Sequence, residues 1–195
     1  MITVIDYGIN STDQLAESLS SLKIDFKITR NERDILDCEK VIISDAPNIT
    51  KAVKKIHLFN LFSLLRMQKK PILGISLGME LLCNKTDKGT ACLGLIPIDT
   101  KEMKEPEIIP SDRSNWVTVH QIKPSPLFNK IPNDSKFYFN CHYYVDVCDS
   151  TIATTGNGKS FSAAVIKNHF YGVQFLPEKS SDYGLQLLKN FIERC

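Results

Sequence analysis

The chain has 195 residues, the length of one domain, and 43% of them are apolar, which excludes intrinsic disorder and leaves enough to build a real core. Lys and Arg total 24 against 22 Asp and Glu, so the net charge is only +2 and gives no reason to expect nucleic acid or an anionic membrane as partner. The charge-free apolar stretches Ile56–Leu65 and Pro71–Met79 are each about half of what a membrane span requires.

The opening MITVIDYG has no basic region followed by an apolar run, so no signal peptide is expected. The six cysteines (Cys38, Cys83, Cys92, Cys141, Cys148, Cys195) form no C-x-x-C pair and no zinc spacing with histidine. They read as reduced thiols of a cytoplasmic protein, most of them small apolar fillers.

In chain order, Ile2–Asp6 reads as a buried strand that ends in the turn Tyr7-Gly8. Ser11-Thr12-Asp13-Gln14 fits a capping box, opening a helix with Leu15, Leu19 and Leu22 on one face. Ile24, Phe26 and Ile28 alternate with polar residues as a second strand, and Val41–Ile43 is a short third. A helical stretch runs from about Ile49 to Met67. Pro71–Ile75 is a fourth strand, with a helix, Leu77–Cys83, directly after it. This alternation predicts an α/β fold with a mainly parallel sheet covered on both faces. Beyond Gly94, shorter strands at Trp116–Ile122, Lys136–Phe139 and Ala163–Ile166 suggest a small antiparallel extension. A last helix starts near Ser181, with Leu185, Leu188 and Phe191 or Ile192 at helical spacing. No repeat or linker divides the chain, so residues 1–195 are expected to form a single domain.

The chemically informative segment is Gly74-Ile75-Ser76-Leu77-Gly78. A strand before it and a helix after it match a nucleophile elbow, a tight turn that holds its central side chain strained and exposed. An ordinary tight turn with a capping serine has the same pattern. Read alone, the pattern also fits a serine hydrolase, which needs an acid and a histidine later in the chain. Of His57, His120, His142 and His169, only His142 is a candidate for that place.

A second segment, Gly172-Val173-Gln174-Phe175-Leu176-Pro177-Glu178-Lys179-Ser180, precedes the last helix. Together with Pro71–Leu82 it resembles the class I glutamine amidotransferases, most closely the glutaminase subunits of imidazole glycerol phosphate synthases. Asp6-Tyr7-Gly8, Gly94-Leu95-Ile96-Pro97, Tyr138-Phe139, Tyr143-Tyr144, Ala163-Ala164-Val165 and the stretch from Gly184 to Phe191 are similar to that group's landmarks, in the same order. The resemblance implies the three-layer, flavodoxin-like amidotransferase fold. It also implies a Cys–His–Glu triad that hydrolyses glutamine through a thioester, and no metal or organic cofactor. The partner it implies is a TIM-barrel cyclase, bound as a heterodimer, that consumes the ammonia.

Measured against that pattern, Ser76 stands where the family has Cys and Leu176 where it has His; Glu178 alone matches the triad. A serine hydroxyl needs a base to react, and leucine cannot accept a proton. The family's oxyanion turn, Pro-Gly-Val-Gly, reads Ser44-Asp45-Ala46-Pro47 here, and its substrate-holding Gln after the elbow methionine reads Glu80. The family stretch Pro-His-Met-Gly-Trp-Asn falls on Pro110–Trp116 without a clean alignment, and its His-Ser reads Cys141-His142. A single change would fit an engineered trap, but changes at nucleophile, base, oxyanion turn and substrate glutamine together read as natural loss. The expectation is therefore a subunit with Ser76 and Glu178 at the remnant of its site and glutaminase activity lost or very weak. Two other readings stay open, a serine hydrolase and a residually active glutaminase. The resemblance also leaves open whether the pathway is histidine synthesis or a paralogous amidation of surface sugars.

Overall fold

A computed structural model describes residues 1–103, 115–156 and 159–195. The predicted alternation is present: β1 (Ile2–Ile5), α1 (Asp13–Ser21), β2 (Phe26–Thr29), α2 (Glu32–Asp37), β3 (Lys40–Ile43), α3 (Ile49–Leu58), α4 (Leu61–Arg66), β4 (Ile72–Ile75) and α5 (Leu77–Leu82). After these come β5 (Lys101–Glu102), β6 (Trp116–Gln121), β7 (Ser135–Tyr138), β8 (Tyr143–Tyr144), β9 (Thr151–Thr155), β10 (Phe161–Lys167), β11 (Phe170–Val173) and α6 (Ser181–Arg194).

One sheet runs in the order β2-β1-β3-β4-β11-β10-β9-β6-β7, and β5 pairs with β8 in a separate ribbon. The first five strands are parallel to one another. From β11 onward the pairing turns antiparallel. Strands β1, β3 and β4 are buried on both faces, so they read as unbroken apolar runs. Successive residues point to opposite sides. Val4 and Ile42 join the apolar layer under α1 and α6, while Ile5, Val41 and Ile43 join the layer under α2, α3, α4 and α5.

Four expectations need correction. The capping box does not form: Thr12 is the N-cap of α1 in a helical conformation with no side-chain bond. The Ser11 N–H instead donates to the Asp45 carbonyl at 3.1 Å, which turns the segment toward the β3 loop. The stretch Ile49–Met67 is two helices, because Asn60 takes a left-handed φ of 56° and breaks the ladder. Ile28 is exposed, since β2 is the sheet's edge. On α6 the buried face is Gly184, Leu187, Leu188 and Phe191, not Leu185. Most of the segment Pro110–Trp116 lies outside the described residues.

Candidate functional site

The order β2-β1-β3-β4-β11 places a topological switch between β1 and β3, and open sheets of this kind bind ligands at the carboxyl ends of their strands. A cleft of about 800 Å³ opens there. Its walls are the loop after β1 (residues 9–11), the loop after β3 and the start of α3 (residues 45–50), and Ser76, Leu77 and Glu80 after β4. Residues 140–143 before and within β8, with Glu102, Met103 and Lys179, close it.

Ser76 lines this cleft with the strained backbone expected of an elbow, φ 51° and ψ −116°, but its side chain is not exposed as expected: it is only 1% exposed, covered by the walls of the cleft. A non-glycine residue in that region stores about 1–3 kcal/mol of strain, held here by neighbours that leave no alternative. Its N–H donates to the Val173 carbonyl of β11 at 2.8 Å, and its carbonyl accepts from Met79 N at 2.9 Å. The elbow closes because strand and helix meet without side chains between them. A Cβ on Gly78 would stand 1.9 Å from the Ile43 carbonyl oxygen, and one on Gly74 would stand 2.5 Å from the Gly78 carbonyl oxygen.

The donor that follows the elbow is already occupied. The N–H of Leu77 donates to Asp45 Oδ1 at 3.1 Å. The Asp45 loop is held from β1: Tyr7 Oη donates to the Ser44 carbonyl at 2.7 Å, and Asn10 Nδ2 donates to Ser44 Oγ at 3.0 Å and to the Ile5 carbonyl at 2.8 Å. Pro47 contributes no N–H to the cleft wall it forms.

Leu176 is 2% exposed and belongs to the apolar layer that includes Phe137, Phe139 and Phe175. Its N–H donates to the Tyr138 carbonyl at 2.8 Å and its carbonyl accepts from Ser180 Oγ at 2.7 Å, so its backbone position is fixed just past β11. Glu178 follows in a short 3-10 turn, Pro177–Lys179, leading into α6. Burial, with the Asp45 carboxylate adding to it, pushes the Glu178 carboxyl up to about 7. Its Oε2 is buried with no partner among the described residues. Glu178 is absent from the cleft wall, whereas its neighbour Lys179 is part of it.

His142 lines the same cleft as Ser76 and is exposed. Among the described residues, neither its ring nor any other side chain is hydrogen-bonded to Ser76 Oγ. Cys141, also on the wall, is 8% exposed, and burial with the nearby Glu80 and Asp45 charges pushes its thiol far up, which makes it a poor nucleophile.

Sequence reasoning missed the partner of Glu80. Gln174 Nε2 donates to Glu80 Oε1 at 3.2 Å, linking β11's end to α5, and both side chains are fully or almost fully buried. Burial raises the Glu80 carboxyl to about 8 against the lowering effect of that bond, and Asp45 raises it further. The signal was present, since Gln174 is the one polar residue in the apolar run Val173–Leu176.

A strained residue on a strand–helix elbow, at the carboxyl edge of a flavodoxin-ordered sheet, defines the class of protein. Residues 3–195 match the family Glutamine amidotransferase class-I, and the chain belongs to that family. Within it, the chain is similar to HisH subunits over nearly its whole length. The "Imidazole glycerol phosphate synthase subunit HisH 1" of Vibrio vulnificus (strain YJ016) is 33% identical across 98% of this chain and 97% of its own. The subunit HisH of Vibrio cholerae serotype O1 (strain ATCC 39315 / El Tor Inaba N16961) is also 33% identical, across 98% of each chain. The structure of PurLQS from Thermotoga maritima superposes with a TM-score of 0.70 at 17% identity, covering 98% of this chain and 96% of that one, a likeness of fold.

Proposed function

We propose that this chain is the amidotransferase-like subunit of an imidazole glycerol phosphate synthase-type pair, acting in the cytoplasm, in which glutamine hydrolysis is lost or very weak. The observation that carries this reading is Leu176, an aliphatic side chain sealed into the core at the position the family gives to the base. Among the described residues no side chain is hydrogen-bonded to the Ser76 hydroxyl to take its proton, and position 176 offers Glu178 no imidazole to orient. Asp45 adds a second obstacle, a carboxylate on the N–H that would receive negative charge from an attacked amide.

What the chain retains is the scaffold: Gly74, Gly78, Gly172, Pro177 and the α6 face. Such a subunit docks over its cleft on a cyclase barrel and shapes that enzyme's mouth so that free ammonia is used. Copurification with the neighbouring cyclase, followed by assays fed glutamine or ammonium salt, tests the proposal. The expected result is a stable pair that turns over with ammonium and not with glutamine. A cyclase that runs equally well without this chain counts against the role. Whether the pathway is histidine synthesis or surface-sugar amidation is decided by which cyclase copurifies.

One observation favours a second reading, a residual serine-based hydrolase: His142 and Ser76 line the same cleft. Labelling of Ser76 by a fluorophosphonate probe, lost in His142→Ala, would support it.

A further inference from the structure

A second hollow lies between α2 and α4, a groove of about 540 Å³ lined by Phe59, Leu61 and Leu64, with Leu36, Met67 and Glu32 on its flanks. It shares no residue with the cleft beside Ser76. Leu36 is 49% and Met67 78% exposed, and large apolar side chains left in solvent beside an apolar hollow mark a contact surface. The walls are held from within: Lys70 Nζ donates to the Leu36 carbonyl, and the Arg30 guanidinium pairs with Asp6 and lies 4.2 Å from the centre of the Phe59 ring. The two sides differ in the sign of their charge. Residues 46–79, which hold α4, carry Lys51, Lys54, Lys55, Arg66, Lys69 and Lys70 and no Asp or Glu. Helix α2 carries Glu32, Asp34 and Asp37 against one cation, Arg33. Asp34 is paired with Lys27 at 2.7 Å. Glu32, Arg33, Asp37, Arg66 and Lys69 are exposed, and none of them is in an ion pair among the described residues.

We propose that this groove is the contact surface of a homodimer: a second copy, turned about a twofold axis running along the groove, sets its Met67 into the hollow and receives the first copy's Met67 in return. A twofold contact brings the same patch of each copy together, so a knob and its hollow must lie side by side on one surface, as Met67 and the groove do. A flexible, polarizable methionine is suited to filling such a hollow. The same rotation lays α2 of each copy against the end of α4 of the other, so that Glu32 and Asp37 face Arg66 and Lys69. A partner carrying a single sign of charge meets repulsion on one side of the groove, whereas a second copy meets opposite charge on both. The surface is only two short helices wide, which puts it among contacts of less than about 1,200 Å² with a dissociation constant on the order of 1–100 µM. It leaves the Ser76 cleft of each copy outside the contact, so it does not depend on what that cleft does.

Sedimentation equilibrium of the purified chain across a range of concentrations at low salt tests it. The expected result is a reversible monomer–dimer equilibrium that weakens as salt is added. Met67→Glu, at a side chain already in solvent, is expected to weaken the dimer by about tenfold or more while its melting curve matches the parent's. Two charge-reversed chains supply the decisive comparison. Glu32→Lys with Asp37→Lys makes both sides of the groove basic, and Arg66→Glu with Lys69→Glu makes both sides acidic. Each chain alone is expected to dimerise about tenfold or more weakly than the parent, and an equimolar mixture of the two is expected to recover a dimer, because each basic side then meets an acidic one. A chain that stays monomeric throughout overturns the proposal. So does a dimer unmoved by Met67→Glu, which would use another face, and so does a mixture no tighter than its two components.

Discussion

The carboxylate of Asp45 accepts the N–H of Leu77 at 3.1 Å, so the first backbone donor past the strained Ser76 is spent on the chain's own side chain. In an elbow of this geometry that N–H is the group available to a developing oxyanion. An aspartate there both occupies the donor and places negative charge where more negative charge would have to form.

Restoring the two missing triad residues should therefore recover only part of the chemistry. The double variant Ser76→Cys with Leu176→His is expected to release ammonia from glutamine slowly. Adding Asp45→Ala, which frees the Leu77 N–H, is expected to raise kcat by about tenfold or more, given that one oxyanion donor is worth roughly 10²–10³ in rate. Equal rates in the double and triple variants would show that Asp45 does not obstruct the site.

Leu176 is a packing residue as it stands. Leu176→Ala is expected to cost about 2–4 kcal/mol in urea denaturation, the usual range for emptying a buried leucine site. Leu176→His is also expected to destabilise, by roughly 1–3 kcal/mol, because an imidazole enters an apolar layer rich in phenylalanine. A neutral outcome for both would mean that Leu176 faces open space.

The elbow itself tolerates no added carbon at Gly78. The Ile43 carbonyl oxygen would lie 1.9 Å from a new Cβ, so β3 and α5 must separate. Gly78→Ala is expected to lose at least about 2 kcal/mol of stability or to fail to fold. An alanine variant with an unchanged denaturation midpoint would contradict the close approach of these two elements.

Glu80 makes stability depend on pH in an unusual direction. Its carboxyl rises to about 8 in the fold, from an ordinary value near 4.5. Between those limits the native state keeps a proton that the unfolded chain has lost. Stability from this group therefore falls as pH rises through that window, and the full penalty is reached above about 8. Glu178, raised to about 7, adds the same sign over a lower range. Glu80→Gln is expected to be more stable than the parent by roughly 1–3 kcal/mol at about pH 9, with the advantage shrinking toward about pH 5. A difference that does not change with pH would show that Glu80 titrates normally.

The parallel half of the sheet was legible because its strands are buried on both faces and so appear as apolar runs: ITVI, VII, ILGI. Strand β9 was not, since TIATT is mostly threonine and its period-2 signal is weak. Helix α2 is six residues long, too short for a period, and only its Asn31 cap, accepting from Arg33 N and Asp34 N, marks it. The break at Asn60 carries no glycine or proline to announce it. At the site, the elbow was legible from glycine spacing. The Asp45–Leu77 and Glu80–Gln174 contacts join residues 32 and 94 positions apart and follow only from the tertiary fold.

Glutamine hydrolysis at this cleft needs a base for the Ser76 hydroxyl, and ammonia release from glutamine reads the presence of one most directly. The purified chain, alone and with its cyclase, is expected to release none above the rate of a protein-free blank. Sustained release that disappears in Ser76→Ala would show that a base does serve Ser76 and that the cleft is not silent.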